Sequence, residues 1–500
     1  MKIYLVILVS LVTLLGKAQN DADYLTKVQI EQDLALLDKI FQEQSSYQGL
    51  NGFDYREDFE TYLQQIDDQK ISQTDFGLFL SNIIGKIGDR HSYVKGYDLP
   101  ETLYFPLSFA PYKERVLVLD YDRANRVYDL HNSQYPFLKS INNIPIENIL
   151  QKALPNEQLA PKKSYLLNAV RDLRDIETVF SILKIDLPNP LPITLENENG
   201  TEKEIQVTLV LDDKKGYLWD EKFHKKDFYF YYKDEKLNDR DLLEQFFTIK
   251  DNIGYVQIYA MLEREESPVF FELLNDFMIK AVETDALIID VRDNGGGSRD
   301  LINELAGYFV APNAIYIVNA TKQRGLLPLN EDLKQRLHNR YLFSRDELDY
   351  TEQKAVDDFM NTFEPMYLLD KDKFSDYHYY VFNGQKLSEG KYHYNKPIYI
   401  LTNESSFSAA SVLVSTLKGL PNIKIVGVNT DGSSGNSERF ELPNSELRGK
   451  ISTMVSFQKD GKILDGIGTA PDIVIERNLD QIFMKEDYQL NRLLELIKEE

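Results

Sequence analysis

Leu401-Thr402-Asn403-Glu404-Ser405-Ser406-Phe407-Ser408-Ala409-Ala410-Ser411 decides how the chain is read. The residues before it, Pro397-Ile398-Tyr399-Ile400, predict a short buried strand. Those after it, Ala409 to Lys418, predict a helix stopped by Gly419. A serine between a strand and a helix can sit on a tight turn with its hydroxyl exposed. The following N–H groups then point at whatever that hydroxyl attacks. Taken alone, the stretch favours serines that merely cap the helix.

A second stretch has the same layout. Ala286-Leu287-Ile288-Ile289-Asp290-Val291 predicts a buried strand, and it runs into Arg292-Asp293-Asn294-Gly295-Gly296-Gly297 before a helical pattern resumes near Leu301. Strand, glycine-rich turn and helix make an α/β unit with free N–H groups at the helix start. There is no G-x-G-x-x-G and no Gly-Lys-Ser/Thr, so a phosphate cradle is a poor fit. Asp290 and Arg292 are expected to be a structural ion pair at the strand end. Ile253 to Ile258 opens this part of the chain with another strand, Phe270 to Ala281 is amphipathic, and strands are expected at Ile423–Val426 and Ile451–Phe457.

The 500 residues allow several domains. Residues 1–18 are expected to be a signal peptide: Lys2, an apolar run from Ile3 to Leu15, and a small-residue region ending at Ala18. That run is short for a membrane span, and no later stretch is long and apolar enough for one. Residues 19–100 are expected to be helical, carrying stripes such as Leu34, Leu37, Phe41 and Phe76, Leu80, Ile83, Ile87. Residues 101–215 predict a small β domain that ends in a hairpin turning at Asn199-Gly200. Within it, Ser140-Ile141-Asn142-Asn143-Ile144-Pro145 resembles a turn of PDZ domains. Residues 216–480 follow, with an aromatic strand expected at Phe228–Tyr232, an insertion or lid at 320–395, and a C-terminal helix at 481–500.

The chain has 57 basic and 80 acidic residues, a net charge of −23, and no cysteine. The charge argues against nucleic acid and anionic membrane surfaces as partners. Without cysteine there are no disulfides, no thiolate metal sites and no lipoprotein anchor. The expectation is an exported protein, periplasmic or secreted, without metal or cofactor.

Four separated stretches fit one pattern: Gly88-Asp89-Arg90-His91-Ser92, Asp290 to Gly297, Asn403 to Ser411, and Asp465-Gly466-Ile467-Gly468-Thr469-Ala470-Pro471-Asp472. In this order they resemble the tail-specific (C-terminal processing) serine peptidases and the tricorn core protease. The resemblance implies a ClpP/crotonase-like α/β catalytic domain, with the N-terminal helical domain and the PDZ-like β domain beside it. It also implies peptide or unfolded-protein substrates. The processing branch uses a lysine in a loop after the nucleophile, where this chain has Ser433 within Thr430-Asp431-Gly432-Ser433. The tricorn branch uses an earlier histidine, matched by His91, and an acidic group matched by Asp465. Arg90 stands where tricorn has a serine.

The resemblance thus implies Ser408 as nucleophile, His91 as base and Asp465 as the group behind it, with the N–H groups of Gly296 and Ala409 holding the oxyanion. A serine hydroxyl needs an adjacent base at neutral pH, and an imidazole suits that task. The expected function is an exported serine endopeptidase acting through an acyl-enzyme. The alternative is a non-catalytic ligand- or peptide-binding protein on the same scaffold, kept open by the missing lysine and the Arg90 departure. An acyl-CoA enzyme is a weaker third reading, because CoA chemistry belongs in the cytoplasm.

Overall fold

A computed structural model of the chain describes residues 24–66, 70–221, 223, 238–325, 327–433 and 435–499. The expected signal peptide and the expected strand at 228–232 lie outside the described residues. Among the described residues no helix is long and apolar enough to cross a membrane. The architecture is mixed α/β, with several sheets and helices packed on them.

The N-terminal part forms helices α1 (Lys27–Gln44), α2 (Tyr55–Gln65) and α3 (Gln73–Ile87). Thr26, Asp54 and Ser72 cap their starts with side-chain oxygens. Gly88 ends α3 with φ of +106°, a conformation glycine adopts without steric cost. Strand β1 (Tyr93–Lys95) follows directly.

Residues 101–215 contain a seven-stranded sheet. Its strands include β2 (Ser108–Tyr112), β3 (Arg115–Asp122), β4 (Phe137–Ile141), β5 (Leu191–Glu196) and β6 (Glu202–Val207). The β5–β6 hairpin pairs Glu196 with Glu202 around the expected Asn199-Gly200 turn. Three helices not anticipated from the sequence lie between β4 and β5: α4 (Ile146–Ala153), α5 (Lys162–Asp172) and α6 (Ile176–Leu183). They cover the sheet through Ile149, Val170 and Phe180, which share one core with Val118 and Ile193.

The remainder is built on a six-stranded sheet. Its edge strand β7 (Phe247–Lys250) runs antiparallel to β8 (Ile253–Gln257), and β8 pairs in parallel with β9 (Ala286–Asp290). A second sheet begins with β10 (Ile315–Gln323), β11 (Leu342–Ser344) and β12 (His378–Asn383). The parallel sheet continues in β13 (Ile398–Thr402) and β14 (Ile423–Gly427) and ends in Ile473–Val474. Every residue of β9 and β13 is buried, as expected where a parallel sheet is covered on both faces. Period-two alternation divides them between two cores. Leu287, Ile289, Ile398 and Ile400 face the helices α7 (Pro268–Ala281), α8 (Asp300–Phe309) and α11 (Ala409–Leu417). Ala286, Ile288, Tyr399 and Leu401 face Leu493 of the C-terminal helix α12 (Tyr488–Glu499).

Between α8 and α11 lie α9 (Glu331–His338) and α10 (Tyr350–Met360). The expected insertion boundary at 320 falls inside β10, which pairs with both β12 and the late strand Met454–Phe457. The strands of the 320–395 segment are therefore part of a sheet shared with Met454–Phe457. The single strand expected at 451–457 is two. Arg448–Ser452 pairs with Ser437–Glu441 and with β1, whereas Met454–Phe457 joins β10. The break comes at Thr453, whose N–H donates to the Asn436 carbonyl and whose carbonyl accepts from the Arg324 N–H.

Candidate active site

In open parallel sheets, ligands collect beyond the carboxyl ends of the strands. The loops leaving β9, β13 and β14 meet there. Asn294 ties two of them together: its Nδ2 donates to the Ile258 carbonyl at 2.7 Å, and its carbonyl accepts the Phe407 N–H at 2.9 Å. Ser406 Oγ donates to the Val291 carbonyl at 2.8 Å, and Asn403 Oδ1 accepts the Asp293 N–H at 3.0 Å. Beneath this layer Arg292 forms buried ion pairs of 2.7 Å with both Asp290 and Asp487.

Ser408 sits at φ 53° and ψ −124°, ahead of α11, and its side chain makes no capping bond. A positive φ at a residue with a Cβ costs on the order of 1–3 kcal/mol and persists only where the surroundings impose it. Helix capping alone does not need that strain. Gly296 packs against this turn so closely that a Cβ on it would lie 2.5 Å from Ser408 Cβ and 2.9 Å from the Ala409 nitrogen. Its own φ is +95°.

His91 reaches Ser408 from 317 residues away, with Nε2 3.4 Å from Ser408 Oγ. That is longer than a good hydrogen bond, as catalytic contacts without substrate often are. Three features fix the imidazole. Strand β1 pairs with Arg448–Ser452 and carries the Asp89–Ser92 turn into the site. The Asp89 carboxylate accepts from the N–H groups of His91 (2.9 Å) and Ser92 (2.6 Å) and from Ser452 Oγ (2.7 Å). Burial pushes the Asp89 carboxyl above its ordinary range, against the pull of Ser452 and Ser92. The ring also stacks on Phe407, with centroids 5.3 Å apart.

The other ring nitrogen departs from expectation. His91 Nδ1 lies 2.6 Å from Ser433 Oγ and 3.3 Å from the Gly435 nitrogen. Asp465 Oδ1 is 4.0 Å away, within ion-pair range but beyond a hydrogen bond. Asp465 is fully buried, and its other oxygen accepts from Tyr47 Oη at 2.9 Å. Burial first, then the Asp465 charge, raises the Tyr47 phenol well above its usual value, so it stays a donor. The residue in direct contact with Nδ1 is thus Ser433, at the position where the processing branch has its lysine. Arg90 holds that loop in place. Its Nε and Nη2 bond Asp431 at 3.1 and 2.8 Å, Nη1 lies 3.2 Å from Glu157, and the guanidinium sits over Phe407.

Of the two expected oxyanion donors, Ala409 opens α11, and its N–H has no partner among the described residues. The Gly296 N–H differs from expectation: it donates to Asn294 Oδ1 at 2.8 Å, closing a turn within the glycine loop. Ser408 and Ala409 line a cleft of about 1080 Å³ together with Met261, Gly297, Val412 and Asn436. Among the described residues no group of three or more histidine or carboxylate side chains is placed to hold a metal ion.

Residues 252–475 match the model of peptidase family S41. A curated protein of Chlamydia pneumoniae is 27% identical over 110 residues, which is 22% of this chain and 17% of that relative's length. Among solved structures, mature CPAF complexed with lactacystin superposes with a TM-score of 0.61 at 14% identity, covering 95% of this chain and 99% of that one. A second structure of mature CPAF gives 0.61 at 16% identity, covering 95% and 98%. At such identities the likeness carries the fold alone. The family match covers residues 252–475, under half of the chain, and marks that segment as similar to the serine peptidases of family S41.

Proposed function

We propose that the protein is an exported serine endopeptidase that hydrolyses peptide or unfolded-protein substrates through an acyl-enzyme. The observation that carries this reading is the strained Ser408 turn with its hydroxyl 3.4 Å from His91 Nε2. Ser408 Oγ attacks the scissile carbonyl carbon as its proton passes to His91 Nε2. The carbonyl electron pair moves onto oxygen, where the Ala409 N–H receives it. Gly296 becomes the second donor when the substrate oxygen replaces Asn294 Oδ1 on its N–H. Collapse expels the amine, which takes the proton from Nε2. Water, activated by the same nitrogen, then releases the acyl group.

On this reading Nδ1 carries a proton and donates it to Ser433 Oγ, which requires the Gly435 N–H, aimed at Nδ1 from 3.3 Å, to turn aside, and Asp465 supplies negative charge behind the pair. This is the tricorn-like use of a histidine base, with Ser433 added. The ClpP/crotonase-like description of the catalytic domain and the PDZ-like description of residues 101–215 belong to the same proposal. The second is supported by the tight Asn142-Asn143 turn, with φ of 51° and 61°, between Ile141 and Ile144. The signal-peptide reading of residues 1–18 supports export to the periplasm or beyond.

The committed Gly296 N–H is what favours the alternative of a non-catalytic binding protein. One experiment separates the two: labelling of the mature protein by a fluorophosphonate probe. The peptidase reading expects labelling of wild type, and loss of it in Ser408→Ala and almost as fully in His91→Ala, because members of one catalytic unit fail together. An unlabelled wild type would favour the binder.

A further inference from the structure

The Ser408 cleft is lined by several cationic side chains, and most of them have a carboxylate partner. Arg264 pairs with Glu304, Arg336 with Glu438, and His338 with Glu347. Arg299 and Arg340 have none among the described residues. Arg299 is 5% exposed, yet among the described residues the one hydrogen bond of its side chain is from Nη1 to the Arg340 carbonyl at 3.1 Å, and its guanidinium lies over Tyr380. Arg340 Nη1 reaches Asn436 Oδ1 at 3.0 Å. Burial, then the neighbouring Arg340 charge, holds Arg299 down to about 10, and burial followed by Arg336 lowers Arg340. Among the described residues no carboxylate pairs with either charge.

A buried guanidinium, Arg299, near a half-buried one, Arg340, is costly, since a buried charge normally requires a counter-charge. A chain with net charge −23 does not lack carboxylates to supply one. The acidic residues of this cleft are placed elsewhere. Glu263, Glu265 and Glu266 are exposed at its rim, and both Asp300 oxygens are occupied, by Tyr341 Oη and by the Arg264 N–H. The arginine pair is also tied to the reacting groups. Arg299 follows Gly297 by two residues, and Asn436 adjoins Gly435, whose nitrogen faces His91 Nδ1.

We propose that Arg299 and Arg340 form a carboxylate-binding subsite of the Ser408 cleft, the missing counter-charge arriving with the substrate as an acidic side chain or as its C-terminal carboxylate. The inference rests on the reading of this cleft as the peptidase site. Planar guanidinium groups suit a carboxylate because they offer paired N–H donors. A neutral amide in the same place leaves both charges unpaired.

The test uses the full mature chain carrying Ser408→Ala, which binds without turnover, and fluorescein-tagged octapeptides followed by anisotropy. Each position in turn is Glu or Gln in C-terminally amidated peptides, and one further pair compares a free C-terminal carboxylate with its amide. The expected result is a 10- to 100-fold preference, of the size of a charge-assisted bond, at one Glu position or for the free carboxylate. Which of the two appears identifies the source. The preference should fall to within about twofold in Arg299→Met and in Arg340→Gln. Both variants should keep or raise the Tm, whereas arginines with a purely structural role would lower it. Equal binding of every pair, a preference that survives both arginine variants, or no binding at millimolar peptide overturns the proposal. Because the readout is binding, it is independent of fluorophosphonate labelling, which reports the peptidase reading separately.

Discussion

Replacing Ser433 by alanine removes one oxygen, the atom 2.6 Å from His91 Nδ1. Ser433 is buried, so the lost contact is not restored by bulk water. While His91 is neutral, that hydrogen bond is worth about 0.5–1.5 kcal/mol. When His91 takes the Ser408 proton, the bond becomes charge-assisted and is worth about 1.5–3 kcal/mol. The difference acts on the transition state, where the ring is charged, and it also fixes which nitrogen carries the proton beforehand. That difference, about 1–1.5 kcal/mol, should slow acylation by roughly 5- to 12-fold, with the full charged value setting an upper limit of roughly 150-fold, at about 1.4 kcal/mol per factor of ten. Asp465, at 4.0 Å, acts by field alone, worth up to about 4 kcal/mol for unit charges at an effective dielectric of about 20. Asp465→Asn is therefore expected to be harmful too. The double variant should fall short of the product of the singles, because both groups work through Nδ1. The assay is the second-order rate of fluorophosphonate labelling, with Tm measured alongside. If Ser433→Ala labels within about twofold of wild type while Asp465→Asn is severely slowed, Ser433 is a bystander and Asp465 closes onto Nδ1 when substrate binds.

Gly296→Ala should lower activity by at least 10²- to 10³-fold, the usual effect of spoiling an oxyanion site, because its Cβ would meet Ser408 Cβ at 2.5 Å; peptide turnover with normal labelling would exclude the close approach. Asp431→Asn should cost about 1.5–3 kcal/mol in urea unfolding, since it removes the charge-assisted bonds to Arg90 and leaves Glu157 to balance the guanidinium, and activity should drop with it because the same loop carries Ser433. Burial raises the Glu221 carboxyl to about 7 despite Arg477 beside it. The folded state therefore holds its proton more tightly than the unfolded chain, and stability should fall as pH rises from about 4.5 through 7, by on the order of 3 kcal/mol; equal urea midpoints at pH 5 and pH 8 would contradict this.

What was legible in the sequence was local. The Ser408 turn could be read because an apolar run, a serine-rich turn and an alanine-rich helix are adjacent, and the buried strands β8, β9, β13 and β14 announce themselves as short apolar runs. His91 could not be read that way. Its partners lie 317 and 342 residues away; the local sequence marks it only as a histidine after a glycine-terminated helix, read as a helix cap, and the role of base comes from the resemblance to a family. The same distance hid the contact of Ser433, although its place in the lysine loop was a usable signal. The helices at 146–183 were missed because their polar faces dilute the apolar stripe, and no glycine marks the ends of α4 and α5. Nothing in the local sequence separates Arg299 and Arg340 from the arginines with carboxylate partners, because the difference lies in what other segments bring beside them.

The assembly of the site from distant segments has its own consequence. The family-matched segment 252–475 contains Ser408, Ser433 and Asp465 but not His91, the proposed base. His91 arrives on β1, held by three registered pairs to Arg448–Ser452, and by the Asp89–Ser452 bond. The α1–α2 connection contributes further ties: the Ser46 N–H donates to the Ser452 carbonyl, and Tyr47 donates to Asp465. The core of α1 and α3 is continuous with Ile451, Val455 and Phe457. The N-terminal helices thus position both the base and the carboxylate behind it. Loosening their contact with residues 448–457 would separate His91 from Ser408 without touching either side chain. The nucleophile turn would keep its ties to β9, β13 and the glycine loop, which do not involve the N-terminal helices. A substitution in that shared core, such as Val455→Ala, should therefore lower acylation in proportion to the fraction of chains whose N-terminal helices have undocked.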